Sequence, residues 1–352
     1  TVKVKSLEND QETTILSGGN RVIHHDVDYR VPLLSWADAN TLGVIVIRNG
    51  DYVFWLYDFN TRSKIPRELG QYSNIRSLNF NSNGRLAVIS ADVGGQNDLF
   101  LLSSRRDRTR RLTNDIFDDL DPAFVPNSSS IVFSSNRTTD TLINTVRGHQ
   151  NITENYNLFM LNLDSGTTVG KRITNTLSKD FSPRAQDANN VYYLSDQRGI
   201  INLFRFNSQT GIYSQLTNFS SSIKDYDLNF QSNMLAMVMD KDLTESIFLN
   251  SNFNFDRQIF TPSTRRKEIQ QARVLTEKRK KEPEQKMSIK DLINQRLREK
   301  KDTTTQPAVV PVAPDTVKRT PGEINTDDYR FEDPPAPKAD TLKPVKKDTL
   351  KA

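Results

Sequence analysis

The residue types that could carry chemistry are gathered in four short stretches. NDIFDDLD (114–121) supplies Asp115, Asp118, Asp119 and Asp121, SSNRTTD (134–140) supplies Asn136 and Arg137, NTLSKD (175–180) supplies Asp180, and SDQRG (195–199) supplies Asp196 and Arg198. Such groups could ring a binding mouth, pair as acid and base for glycoside hydrolysis, or offer oxygen ligands to calcium. Carboxylate pairing depends on a separation in space that a sequence does not give, and EF-hand spacing is absent. Nucleophilic hydrolysis needs a serine on a strained G-x-S-x-G elbow with Asp and His further along, and no such motif occurs. The only histidines are His24, His25 and His149, and there is no Cys. Cys–His catalysis, disulfides and Cys-based zinc sites are therefore excluded. His24-His25-Asp26 reads as a polar cluster at a strand edge or in a loop, and Gly18-Gly19 and Gly94-Gly95 are isolated pairs rather than phosphate-cradling loops. The expectation is a non-enzymatic chain with no cofactor and no metal site.

What positions these residues is set by the chain around them. Its 352 residues hold 48 Lys+Arg and 43 Asp+Glu. Residues 1–261 hold 26 and 28 of these, whereas 262–352 hold 22 and 15, so the basic character lies in the tail. Tyr329 and Phe331 are the only aromatic residues after 261, so only the first part can build a core. No apolar run is long enough for a membrane-spanning helix. The chain opens on Thr1 without a secretory pattern, which suggests a removed leader or a piece of a longer protein.

Short strand-like runs recur at a fixed period along 1–261. WLYDF (55–59), DLFLL (98–102), NLFML (157–161), NLFRF (202–206) and SIFLN (246–250) align on Leu56, Leu99, Leu158, Leu203 and Ile247, at spacings of 43, 59, 45 and 44. RLTN, RITN, QLTN and IFTP place Thr113, Thr174, Thr217 and Thr261 at spacings of 61, 43 and 44. One insertion around 138–155 explains the long interval in both series. A further strand–turn–strand pair precedes each landmark, so each unit is four antiparallel strands, the length of a β-propeller blade. The sequence thus predicts an all-β propeller with five full blades and a partial one at 2–19, of six-bladed type. That partial start implies further chain upstream.

The composite unit carried by Asp121, Pro122, Phe124, Ser135, Asn136, Arg137, Leu158, Asp164, Gly166 and Thr174 resembles the WD-like repeat of TolB-type propellers, also found in relatives of prolyl oligopeptidase. Pro183, Ser195, Asp196, Arg198, Gly199, Leu203, Gly211 and Thr217 repeat it one blade later. Similarity to TolB implies a non-catalytic, protein-binding scaffold of the bacterial cell envelope, periplasmic or outer-membrane associated, meeting a lipoprotein or outer-membrane partner over one propeller face. The chain lacks an α/β N-domain like that of TolB and adds a long tail, which fits part of a larger envelope protein better. The rival reading is the gating propeller of a prolyl-oligopeptidase-like serine hydrolase whose catalytic domain lies outside this chain.

In a blade whose strands run A to D outward, the B–C and D–A loops share one face. Asp115, Asp118, Asp119, Asp121, Asn136, Arg137, Asp180, Asp196 and Arg198 fall there and form the candidate partner-binding set. The competing reading is that they hold turns by local hydrogen bonds. The insertion is either partner-specific or tolerated surface. On the other face, SSRRDRTRR (103–111) gathers Arg105, Arg106, Arg108, Arg110 and Arg111. Charges on an outer strand also blunt edge-to-edge pairing, and without interleaved aromatics a nucleic-acid role is disfavoured. Beyond the propeller, 262–301 reads as basic helical segments with a capping box at Ser288 and Asp291. Residues 302–352 read as a Pro/Lys/Asp/Thr-rich disordered linker with one aromatic motif, INTDDYRFED (324–333). A monomeric propeller is expected.

Overall fold

The computed structural model describes residues 1–17, 32–142, 152–165 and 169–281. A leading hairpin, β1 (Val2–Lys5) and β2 (Glu12–Leu16), is followed by blade one, which holds β3 (Leu33–Asp38), β4 (Thr41–Arg48), β5 (Asp51–Asp58) and β6 (Lys64–Glu68). Blade two holds β7 (Asn74–Phe80), β8 (Leu86–Val93), β9 (Gln96–Ser103) and β10 (Thr109–Arg111). Blade three holds β11 (Asp119–Phe124), β12 (Ser130–Ser135), β13 (Asn157–Asn162) and β14 (Lys171–Arg172), and blade four β15 (Asp180–Ala185), β16 (Asn190–Ser195), β17 (Asn202–Asn207) and β18 (Ile212–Gln215). Blade five holds β19 (Ile223–Asn229), β20 (Met234–Lys241) and β21 (Thr244–Asn250), and the described chain ends in helix α1 (Arg265–Lys281). Every sheet is an antiparallel meander in chain order, four of them four-stranded, blade five three-stranded and the hairpin two-stranded. This is the all-β propeller that the repeat predicts.

Alternation along the second strand of each blade explains the stacking. Neighbouring side chains in a strand point to opposite faces. In β8, Val88 therefore joins the core shared with Ile131, Phe133 and Phe159 of blade three, while Ile89 joins Phe54, Ile75 and Phe100 in the core shared with blade one. In β16, Tyr193 packs with Val132 and Leu158 of blade three, and Tyr192 with Tyr226, Leu235 and Met237 of blade five. The leading hairpin buries Val2 and Ile15 against Leu42, Val44 and Tyr57 of blade one. On the other side of blade one, Gly43 permits the close approach of blade two, since a Cβ there would lie 2.3 Å from the Phe80 ring.

The two landmark series meet in space. The N–H groups of Leu99, Leu158 and Leu203 donate to the hydroxyl oxygens of Thr113, Thr174 and Thr217 at 3.0, 2.8 and 2.9 Å. Each hydroxyl in turn donates to the residue before its leucine, Asp98, Asn157 or Asn202. This clamp ties the third strand to the segment leaving the fourth, and the repeat spacing is its imprint.

The fourth landmark behaves differently. Ile259, expected to run along SIFLN as the outer strand of its own blade, instead pairs with Gln215 at the edge of blade four. Thr261 is left with a buried hydroxyl that has no partner among the described residues. Packing gives the reason. Phe253 and Phe255 insert beside Tyr192, and Arg205 donates to the Phe255 carbonyl and to Asp256, which draws this segment onto blade four. Helix α1 follows it there. Thr264 caps the helix through Lys267 N–H and donates its own N–H to the Arg198 carbonyl, and Lys267, almost fully buried, pairs with Asp196 at 2.9 Å. Blades and helix belong to one unit, Thr1–Pro283.

Part of the insertion is described. Residues 138–142 run beside β14, with Thr141 bridging Val169 and Leu142 buried. They cover the outer edge of blade three, which is edge protection. His24, His25, His149, Gly166, the helix expected at 288–301 and the tail lie outside the described residues.

Candidate functional site

The first strands of blades two to five each carry a register shift, whereas in blade one the shift falls at the far end of β3, between Trp36 and Asp38. The shifts fall around Arg76, around Asp121-Pro122, around Ser182-Pro183 and around Lys224. A bulge bends its strand and re-aims a side chain, and here Asp121 and Ser182 also take positive φ, 49° and 48°. The outcome is a pair of adjoining recesses lined by first strands. One, of about 270 Å³, is lined by Leu34, Arg76, Asp121, Ser182, Arg184 and Asp225. The other, of about 430 Å³, shares Leu34 and Arg184 and adds Val2, Val4, Trp36, Leu42 and Asp227. The smaller recess is the charged end, whereas the larger mixes its apolar residues with Lys3, Arg184 and Asp227.

The charged end is organised by pairs that cross between blades. The Ser182 N–H and hydroxyl both donate to the Asp121 carboxylate, at 3.1 and 3.0 Å. The Tyr226 hydroxyl donates to the Ser182 carbonyl, and Arg184 lies over the Tyr226 ring and 3.6 Å from Asp227. Arg76 pairs with Asp92 at 3.0 Å, and in the equivalent place of blade five Lys224 pairs with Asp240 at 2.7 Å. Burial pushes Asp225 and Asp118 above the ordinary carboxylate range, and the nearby Arg184 and Arg76 charges respectively oppose it. Tyr156, which donates to Asp118, is pushed up to about 12 by burial and by that carboxylate. Two guanidinium groups facing carboxylates suit recognition of charged peptide groups by charge-assisted hydrogen bonds.

The nine candidate residues divide by burial. Arg137 is 2% exposed and makes a two-bond contact with Asp119 at 2.6 Å, an ion pair with Asp115 at 3.0 Å, and a bond to the Thr141 carbonyl. Phe117, Phe133 and Phe159 surround its guanidinium at 5.5 to 5.7 Å. Two carboxylates share one cation, and burial together with the Asp119 charge raises Asp115 to about 6 against the pull of Arg137. Asn136 accepts from the Asp118 N–H. Asp180 is fully buried, accepts from Ser195 and Thr176, and is pushed upward by desolvation. Asp196 binds the Lys179 N–H and Lys267, and Arg198 stacks on Phe260 at 5.1 Å. Asp115, Asp119, Asn136, Arg137 and Asp180 are thus internal, whereas Asp118, Asp121, Asp196 and Arg198 keep accessible surface. Arg76, Arg184, Asp225 and Asp227 were not singled out in the sequence. For Arg184 the signal was the adjoining Pro183, since proline inside a strand marks an edge or a bulge, whereas the strands of Arg76, Asp225 and Asp227 hold no proline. In the arginine hairpin, Arg111 pairs with Asp98 and stacks on Phe100, and Arg110 reaches the Leu163 carbonyl. Among the described residues no group of three His, Cys, Asp or Glu side chains is placed to hold a metal ion.

No family model matches the chain, and no curated protein matches it. Among solved structures, TolB from Acinetobacter baumannii superposes with a TM-score of 0.54 at 14% identity, covering 71% of this chain and 56% of that one. A putative TolB from Agrobacterium tumefaciens superposes with a TM-score of 0.50 at 16% identity, covering 63% and 78%. The chain spans little more than half the length of the A. baumannii protein. At these identities the likeness establishes the fold alone, a β-propeller.

Proposed function

We propose that this chain is a non-catalytic, protein-binding scaffold of the bacterial cell envelope, periplasmic or outer-membrane associated, that meets a lipoprotein or outer-membrane partner at the charged recess of the propeller. The observation that carries this reading is the convergence of Arg76, Asp121, Arg184 and Asp225 from four blades on one recess. A rigid scaffold presenting adaptable charge at a mouth is a common basis for recognition. The resemblance to TolB-type propellers supports the envelope setting. Asp118, Asp121, Asp196 and Arg198 extend the contact surface, while the five internal members of the set hold its shape.

The test is capture from an envelope extract on the immobilised 352-residue chain, compared with Arg76→Ala/Arg184→Ala after circular dichroism has shown both to be folded. An envelope partner held by the parent and reduced on the order of tenfold or more by the double variant is expected, since fully desolvated charge pairs dominate such contacts. Equal capture by the two would move the contact away from the recess. The absence of any envelope partner would sink the scaffold reading.

A further inference from the structure

β19 carries Asp225 of the charged recess near its start and leads into Phe230 just past its end. Phe230 lines a second site, a cleft of about 510 Å³ between blades four and five. Its wall is the segment SNFNFD (251–256), in which burial alternates. Phe253 and Phe255 are buried with Tyr192, whereas Asn252, Asn254 and Asp256 are exposed. The Phe255 ring lies 5.0 Å from Phe230, 5.2 Å from Phe253 and 5.5 Å from Tyr192, so the floor is a packed aromatic cluster. The backbone of the wall is held at three points. The Phe253 N–H donates to the Asn233 carbonyl at 2.8 Å, the Asp256 N–H to Asn254 Oδ1 at 2.9 Å, and Arg205 to the Phe255 carbonyl at 3.0 Å.

What this scaffolding leaves unengaged is a set of neutral, planar polar groups. Gln186 Oε1 accepts from the Tyr192 hydroxyl at 3.0 Å, and the Gln186 amide N–H groups have no partner among the described residues. The same holds for the amide N–H groups of Asn254 and for the whole carboxamides of Asn233 and Asn252. Asp256 gives Oδ1 to Arg205 at 2.8 Å and keeps Oδ2 open, so the one carboxylate of the cleft is already balanced by a cation. We propose that the cleft binds a neutral saccharide, with one pyranose ring set against Phe230 and its hydroxyls held by the carboxamides. A sugar hydroxyl both donates and accepts, and a free carboxamide offers both functions in one plane. The half-buried Phe230 ring presents an electron-rich face of the kind that attracts polarised C–H bonds.

Other ligand classes fit the same groups less well. An ion meets no unbalanced charge, and a wholly apolar ligand would cover the carboxamides without replacing their hydrogen bonds to water, which is how a polar site rejects an analogue lacking the matching groups. The volume lies within the roughly 300–1,000 Å³ of small-molecule sites. A cleft of about 580 Å³ at the end of blade one has space as well, but it is lined by Arg48, Asp51 and Glu68 with no aromatic side chain. The inference is independent of the charged recess, since the two sites lie at opposite ends of β19 and share no lining residue. A few neutral hydrogen bonds and one ring contact correspond to a Kd on the order of millimolar.

The test is titration of the 352-residue chain with cellobiose, maltose and N,N′-diacetylchitobiose, followed by calorimetry and saturation-transfer NMR, beside the variants Asn252→Ala and Phe230→Leu. Asn252 is exposed and its carboxamide holds nothing in the fold, so that variant stays informative even where Phe230→Leu loosens the aromatic floor. Saturable binding of at least one of the three sugars, weakened about fivefold by each substitution, is the expected result. No saturation by any of them up to ~50 mM overturns the proposal. Binding that both variants leave unchanged overturns the assigned cleft. A blocked trialanine peptide that binds as tightly as the best sugar overturns the ligand class in favour of extended backbone amides.

Discussion

Blade three and blade five are built from the same repeat and are held in opposite ways. In blade three the third strand is clamped to the outgoing segment by Thr174, the rim is closed by Arg137, and a covering segment protects the edge. In blade five the matching threonine, Thr261, is stranded without a partner among the described residues, the matching leucine position, Ile247, faces solvent, and the cation at the rim, Lys224, makes accessible ion pairs. The comparison teaches that one sequence signature can be retained while its contact is replaced. The signature records a place in the repeat; the neighbouring aromatic residues and Arg205 decide which sheet the outgoing segment joins.

The sharpest way to break the comparison is at Arg137. Arg137→Met leaves Asp115 and Asp119 buried without a cation, and a loss of about 3–5 kcal/mol in urea unfolding is expected. That is a large part of the stability of an ordinary domain. Lys224→Met, at the accessible rim of blade five, is expected to leave the midpoint where it is. The next effect is one of pH. Asp115 sits at about 6 in the folded chain against an ordinary value of 3.8, so between those values the folded state keeps a proton that the unfolded state has released. Its contribution is complete below about pH 4 and fades as the pH rises through about 6. Asp115→Asn should flatten that fall by about 1–3 kcal/mol relative to the parent, read from unfolding curves at pH 4 and pH 7; parallel curves for the two proteins would contradict the shared-cation account. The smallest effect is the most selective. Thr174→Val leaves the Leu158 N–H and the Asn157 carboxamide without their buried partner and should cost about 1–3 kcal/mol, whereas Thr261→Val removes a hydroxyl with no partner and should be neutral to slightly stabilising. Equal losses at both positions would show that Thr261 makes a clamp in solution after all.

Much of the fold was legible because a propeller writes its geometry as a period. Leu99, Leu158 and Leu203 with Thr113, Thr174 and Thr217 gave both the repeat and, as the structure shows, the atoms that close it. The path of Ile259 was not legible, because IFTP matches the repeat, and what diverts it is contact with Tyr192 and Arg205 of another blade. The candidate site was legible in part. Sequence placed Asp119 and Arg137 in loops of one face, but charge alone does not reveal that the two neutralise each other inside a shell of phenylalanines. The recess residues Arg76 and Arg184 were hidden for the converse reason. They sit within strands whose apolar alternation drew attention to their neighbours, and only the bulges turn them to the recess.

The hydroxyls of Ser90 and Ser134 each donate to the backbone carbonyl that opens the next blade, at Asp119 and Asp180. Each blade is thus fastened chiefly to its successor. The described propeller has the coupling of a one-dimensional array, in which a disturbance passes from neighbour to neighbour with a penalty at every boundary it creates. Melting should accordingly start at the ends of the series, the leading hairpin and blade five, and advance towards blade three as a front rather than strike all blades at once.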